Sequence, residues 1–236
     1  MRPFERLERL RVSNVWLFDA GAAGRWLVDC GHLVERRLVL LALARRGIDP
    51  RGLAGILLTH RHSDHAGNAA FFQDRFGLEV WAHRADAEIL DGSTRRPEMP
   101  FGRGDLLASA LTVFENHLPA RSRAVRRLED GQRIAGLEVF FVPGHTEGSV
   151  FYWHAESGSL FSGDTVLNAI PPMAQREGLA LPHPTFSTHW SQACASLVSF
   201  QRRGLAYRHL LSGHGPALMD RARAGVDQLL ASCGLC

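Results

Sequence analysis

The sequence predicts an α/β domain built around a layered β-sheet core. Three observations carry this expectation. Short apolar runs bounded by glycine and polar residues alternate with longer segments of helical periodicity. That alternation recurs in both halves of the chain. No linker-like stretch or fixed-period repeat divides the 236 residues, so one domain over residues 1–236 is expected. A domain of this length can bury roughly 70–75% of the surface its unfolded chain would expose, so its core needs no staples.

The elements follow in order. Residues 12–18 (VSNVWLF) and 25–29 (RWLVD) read as strands joined by the Gly-rich turn DAGAAG. Residues 34–45 carry helical spacing, and Gly47 is a plausible stop. GILLTH (55–60) is a short apolar run of the kind a buried strand needs. Residues 65–77 read as a helix closed by Gly77, with Ser63 or Asp64 near its start. A strand over 78–83 and a short helix over 84–90 come next. Residues 91–108, rich in Gly, Pro and charge, predict an irregular loop. Strands are expected over 133–142, 148–154 and 158–163. A second loop with four prolines covers 168–187. A helix over 188–204, a strand over 207–213 and a helix over 216–233 close the chain. Both long loops are candidates to wall a substrate site.

Composition narrows the function classes. The chain is 45% hydrophobic and 22% charged, with a formal net charge of +3, as in ordinary globular proteins. The densest basic run, RSRAVRRLEDGQR (121–133), is broken by acids and lacks interleaved aromatics. It reads as a solvated segment, not a nucleic-acid surface. The start of the chain, MRPFERLERLRVS, has no apolar core of a signal peptide. The longest apolar run, LVLLALA (38–44), falls far short of the ~20 residues a membrane span requires. Cys30, Cys194, Cys233 and Cys236 suggest no disulfide framework, and the terminal CGLC reads as free thiols. These features predict a soluble cytoplasmic protein.

Histidine carries the chemistry. LLTHRHSDHAGN (57–68) places His60, His62, Asp64 and His65 directly after an apolar run. Imidazole nitrogens and carboxylate oxygens suit borderline metals such as zinc, and a catalytic zinc takes at least about three protein ligands. Further donors lie downstream: His145 in VPGHTEGS (142–149), Asp164 in LFSGDT (160–165) and His214 in LLSGHGP (210–216). Each follows a predicted strand and sits among small residues that permit close approach. If those strands share one sheet edge, all seven donors converge. His83, His183 and His189 read as surface or loop residues that stand near a pocket at most. His32, His117, His154 and His209 belong to no motif. Phe151 and Trp153 read as core.

The motifs HxHxDH, PGHT, GD and GHG, in that order between residues 29 and 215, resemble the metallo-β-lactamase superfamily. The resemblance covers nearly the whole chain. It implies an αββα four-layer sandwich of two mixed β-sheets flanked by helices. It further implies that His60, His62 and His145 bind one metal, that Asp64, His65 and His214 bind a second, and that Asp164 bridges the two. Asp29, in DCG (29–31) where the family usually has DTG, would orient a ligand histidine by hydrogen bond. Cys30 departs from the usual threonine, and a packing change alone is expected there.

The implied activity is that of a binuclear metallohydrolase with two divalent ions, zinc first and iron or manganese as alternatives. A metal-bridged hydroxide would attack a small carboxyl derivative, a thioester, ester or lactone, and Asp64 would hold or shuttle the proton. The bridging Asp164 argues against the β-lactamases proper. SGDTVLNAIPPMAQREG lacks the GRTD-like continuation common in glyoxalase II and sulfur dioxygenases. The alternatives are a mononuclear iron sulfur dioxygenase, a metal-retaining metabolite-binding protein with little turnover, and a β-lactam or phosphodiester hydrolase. A small-molecule substrate is expected, with no nucleic acid or membrane as partner and a homodimer allowed.

Overall fold

The computed structural model describes residues 2–98, 113, 115–169 and 177–235. Eleven strands among the described residues form two mixed sheets. In the first, β1 (Phe4–Arg6), β2 (Trp16–Asp19), β3 (Arg25–Val28), β4 (Leu53–Leu57), β5 (Val80–His83) and β6 (Val125–Leu128) lie side by side in chain order. Pairing is antiparallel from β1 to β3 and parallel from β3 to β6. The second sheet has the order β11-β10-β9-β8-β7. Its strands are β7 (Arg133–Ile134), β8 (Leu137–Phe141), β9 (Val150–His154), β10 (Ser159–Gly163) and β11 (His209–Ser212). All its pairs are antiparallel except β10 with β11.

Strand periodicity assigns side chains to layers. Leu57 joins Phe18, Val28, Val139, Tyr152, Phe161 and Leu211 in a cluster between the sheets. Its chain neighbours Ile56 and Leu58 point the other way. They pack with Val39, Leu43, Phe72 and Ala87, which belong to α1 (Arg36–Ala44), α3 (Ala69–Phe76) and α4 (Arg84–Leu90). In the second sheet Phe140 and Phe151 face outward onto Leu197, Phe200, Val226 and Leu230. Those four come from α5 (Trp190–Arg202) and α6 (Ala222–Ser232). The result is helix, sheet, sheet, helix, the sandwich implied by the motifs. GILL reads as a continuous apolar run because β4 is buried on both faces. Phe18 and Phe161 meet edge to face at 5.9 Å, and the Tyr152 hydroxyl donates to the Leu58 carbonyl at 2.7 Å. Each such buried side chain contributes about 1.5–3 kcal/mol.

Several expectations need correction. The helix predicted over 65–77 is two helices, α2 (Ser63–Ala66) and α3, because Asn68 turns its side-chain amide onto the carbonyls of Cys30, Gly31 and His32. The strand predicted over 12–18 begins only at Trp16, and the one over 55–60 ends at Leu57. The segment 121–133, expected to be solvated throughout, contains β6. Its Arg126 and Arg127 point outward to Glu79 and Asp91, so only Val125 and Leu128 advertise a strand. Strand β1 was not expected. Residues 99–108 of the first predicted loop, 170–176 of the second, and Cys236 lie outside the described residues. No helix among the described residues is long and apolar enough to cross a membrane.

Candidate metal centre

The centre forms where the two sheets end together. The first sheet supplies the turn after β4, with His60 and His62 before α2 and Asp64 and His65 within it. The second supplies His145 from the β8–β9 turn, Asp164 after β10 and His214 after β11. The seven residues therefore converge from two sheets, not from the single sheet edge that strand spacing suggested. Parallel pairing of Gly163 with Ser212 brings the ends carrying Asp164 and His214 together. Gly213 is required there: a Cβ would fall 2.0 Å from Asp164 Oδ1 and 2.6 Å from His65 Cε1.

Two donor groups result, each with its ligand atoms within 4.8 Å of one another: His60, His62 and His145, and Asp64, His65, Asp164 and His214. In the first group the imidazole centroids are 4.6–4.8 Å apart. In the second, Asp64 Oδ2 lies 3.3 Å from His65 Nε2 and 3.2 Å from His214 Nε2. Asp164 reaches both groups. Its oxygens stand 3.3 Å from His65 Nε2, 3.2 Å from His214 Nε2 and 3.9 Å from His145 Nε2.

Ring orientation is set from behind. Nδ1 of His60 meets Thr59 Oγ1 at 3.0 Å, Nδ1 of His65 meets Asp29 Oδ2 at 2.8 Å, and Nδ1 of His145 meets Ser187 Oγ at 3.2 Å. Each contact leaves the opposite nitrogen facing the centre. Asp29 adopts a left-handed backbone (φ 60°) and also accepts from the Thr59 amide at 2.8 Å and the Thr59 hydroxyl. Cys30 is buried, with Sγ donating to the His65 carbonyl at 3.1 Å.

A metal fits these residues. Nε2 of His60, His62, His65 and His145 and Oδ1 of Asp164 are buried yet make no hydrogen bond. Leaving one such polar atom buried and unpaired costs about 1–3 kcal/mol. Five in two adjoining groups are costly unless lone pairs are given to a cation.

The electrostatics divide in the same way. Burial, together with the neighbouring imidazoles, pushes His60 and His62 well below the usual imidazole range and His145 down to about 4. In the other group burial disfavours every charge, but mutual attraction outweighs it. Asp64 and Asp164 are held well below the usual carboxylate range by His65 and His214. His65 is held well above its ordinary value by Asp64, Asp164 and Asp29, and His214 rises to about 10 beside Asp164 and Asp64.

Sequence reasoning missed an ionic network behind the three histidines. Arg61, wholly buried, pairs with Glu147 through Nη2 at 2.7 Å and Nε at 3.0 Å. Asp86, also wholly buried, accepts from the Arg61 amide and from the Thr146 hydroxyl. Burial raises its carboxyl to about 6 in spite of Arg61. Nothing in RADAEIL distinguishes this aspartate from any helical one. His83 is buried and stacks on Phe141 at 4.0 Å, and His183 caps the turn Pro184–Phe186. Neither belongs to the donor groups.

The metallo-beta-lactamase superfamily pattern matches residues 9–203. The chain is 34% identical over 167 residues to a hydroxyacylglutathione hydrolase of Gloeobacter violaceus. That match covers 68% of this chain but only 52% of the relative, so the chain spans about half that relative's length. It is 24% identical over 217 residues to the probable metallo-hydrolase YflN of Bacillus subtilis, covering 87% of this chain and 81% of that one. Among solved structures it resembles the metallo-beta-lactamase family protein TTHA1429 from Thermus thermophilus, with TM-score 0.68, 24% identity and coverage of 98% and 79%. It also resembles TTHA1623 in a di-iron-bound form, with TM-score 0.64, 25% identity and coverage of 92% and 93%. Fold, donor pattern and sequence agree: this chain belongs to the metallo-beta-lactamase superfamily.

Proposed function

We propose that the chain is a binuclear metallohydrolase that cleaves a small carboxyl derivative, with a thioester first and an ester or lactone next. The convergence of seven donors into two adjoining groups, with five buried atoms among them that make no hydrogen bond, carries this reading. The likeness to a hydroxyacylglutathione hydrolase supports the thioester preference. His60, His62 and His145 would hold one divalent ion, Asp64, His65 and His214 the other, and Asp164 would serve both. Zinc suits this donor set, and the di-iron form of a structural relative makes iron the alternative. Bound divalent ions would supply a Lewis acid for the carbonyl oxygen and bring the pKa of water towards neutrality.

The remaining work falls to the chain's own groups. Asp64 is the most exposed of the carboxylate and imidazole donors on its side, at 25% against 17% for His214 and 11% for Asp164. That exposure leaves it open to solvent. Its carboxylate can accept a proton from attacking water and pass it to the leaving group. Asp29 and Thr59 keep His65 and His60 aimed while this happens.

Two measurements test the reading. Elemental analysis of metal-replete protein should find roughly two equivalents of zinc or iron. A panel of thioesters, lactones, phosphodiesters and β-lactams should show turnover first among the thioesters. Clearly fewer than two equivalents of metal, or turnover confined to β-lactams or phosphodiesters, would overturn it. Oxygen uptake with a persulfide would instead identify a mononuclear iron oxygenase.

A further inference from the structure

Asp86 lies in the first turn of α4 and belongs to neither donor group, yet it is wholly buried beside one of them. Its carboxylate receives three hydrogen bonds, and all come from the two turns that carry the three-histidine group. The amide of Arg61, the residue between His60 and His62, donates to Oδ2 at 2.8 Å. The hydroxyl of Thr146, next to His145, donates to Oδ2 at 2.7 Å. The amide of Gly148 donates to Oδ1 at 2.8 Å. The β8–β9 turn sits so close that a Cβ on Gly148 would lie 2.5–2.7 Å from Asp86 N, Cβ and Cγ. Glycine at 148 thus lets the turn rest directly on the carboxylate.

These turns come from different sheets, and no strand pairing joins β4 to β8 or β9. The Val150 amide donates to the Thr59 carbonyl at 3.0 Å, and beyond that single backbone bond their relative position depends on side-chain contacts such as these. The Arg61 side chain adds a second tie, reaching from the first turn to Glu147 on the other. Coordination tolerates displacements of only about 0.2 Å, so a slack joint would be felt in affinity.

We propose that Asp86 is a positioning residue that fixes His60 and His62 against His145, setting the affinity of the three-histidine side for its ion and leaving the acidic side unaffected. The inference rests on the binuclear reading above. In Asp86→Asn the amide must turn its own N–H group on one of the two backbone donors, so a buried conflict replaces a bond.

The test is titration of zinc into metal-free protein against a chromophoric chelator. The unaltered protein should take up roughly two equivalents. In a His214→Ala background, which leaves the three-histidine side, Asp86→Asn should weaken the remaining zinc about 10–100-fold. In a His145→Ala background, which leaves the acidic side, the same change should alter affinity by less than about threefold. Thr146→Val, which keeps the side-chain shape and removes the hydroxyl's bonds to Asp86 and Ser149, should weaken the first side about 2–10-fold and guards against a misfolded Asp86 variant. Equal weakening on both sides, or none on the three-histidine side, overturns the positioning role with the binuclear reading intact. Fewer than two equivalents in the unaltered protein overturns both.

Discussion

The two sides of the metal centre are made of similar residues and behave in opposite ways. The three-histidine side is built from neutral imidazoles, each pushed down by burial and by its neighbours. The acidic side places two carboxylates against His65 and His214, and the imidazoles there are pushed up. Buried carboxylates stand behind them: Asp86 accepts hydrogen bonds from the turns of the first side, and Asp29 holds His65 of the second directly while reaching His60 through Thr59. The difference shows that a ligand's identity does not set its charge. Whether a histidine is a ready donor or a proton holder depends on which groups the fold packs within a few ångström.

The largest effect that could break this comparison is on Asp64. Asp64→Ala should reduce hydrolysis about 10²–10⁴-fold, while the three-histidine side keeps its metal. Loss of all metal by elemental analysis would show that the two sides are not separable. Next, Asp29→Asn should weaken zinc on the acidic side about 10–100-fold through His65, with a smaller loss on the three-histidine side through Thr59 and His60, read by the same chelator titration. A smaller loss is expected for Ser187→Ala, which removes the partner of His145 Nδ1. About 0.5–1.5 kcal/mol of zinc affinity should go from the three-histidine side alone.

The smallest effect concerns pH and the metal-free protein. On the acidic side His65 and His214 have raised values, so their stabilisation is complete below the ordinary 6.5 and fades as pH rises towards about 10. On the other side the values are depressed, so stabilisation is complete above 6.5 and fades as pH falls towards about 4. Thermal unfolding should therefore peak near neutrality and decline on both flanks, by about 2–4 °C for each kcal/mol lost. His145→Ala should flatten the acidic flank, and His214→Ala the alkaline one. A variant that flattens the wrong flank would contradict the assignment.

Much of the centre was legible because its donors sit in short motifs, each pinned to a strand end. His60, His62, Asp64 and His65 are near neighbours in the chain, and local geometry alone brings them together. The alternation of apolar runs and helical periods likewise announced the layers. Other features lacked a local signal. Arg126 and Arg127 hide β6 because an edge strand can turn its charges outward. The break between α2 and α3 depends on Asn68 reaching carbonyls more than thirty residues away.

By itself, then, the sequence determined the fold class, the family resemblance and the seven candidate donors, since periodicity and motif spacing are local properties of the chain. Only the tertiary structure decided that the donors arrive from two sheets, that they divide into a neutral and a charged group, and that Asp86 and Arg61 stand behind one of them. Burial and Coulomb interactions depend on distances between residues far apart in the chain. Asp86 lies 25 residues from Arg61 and 60 from Thr146, and no spacing rule spans such gaps.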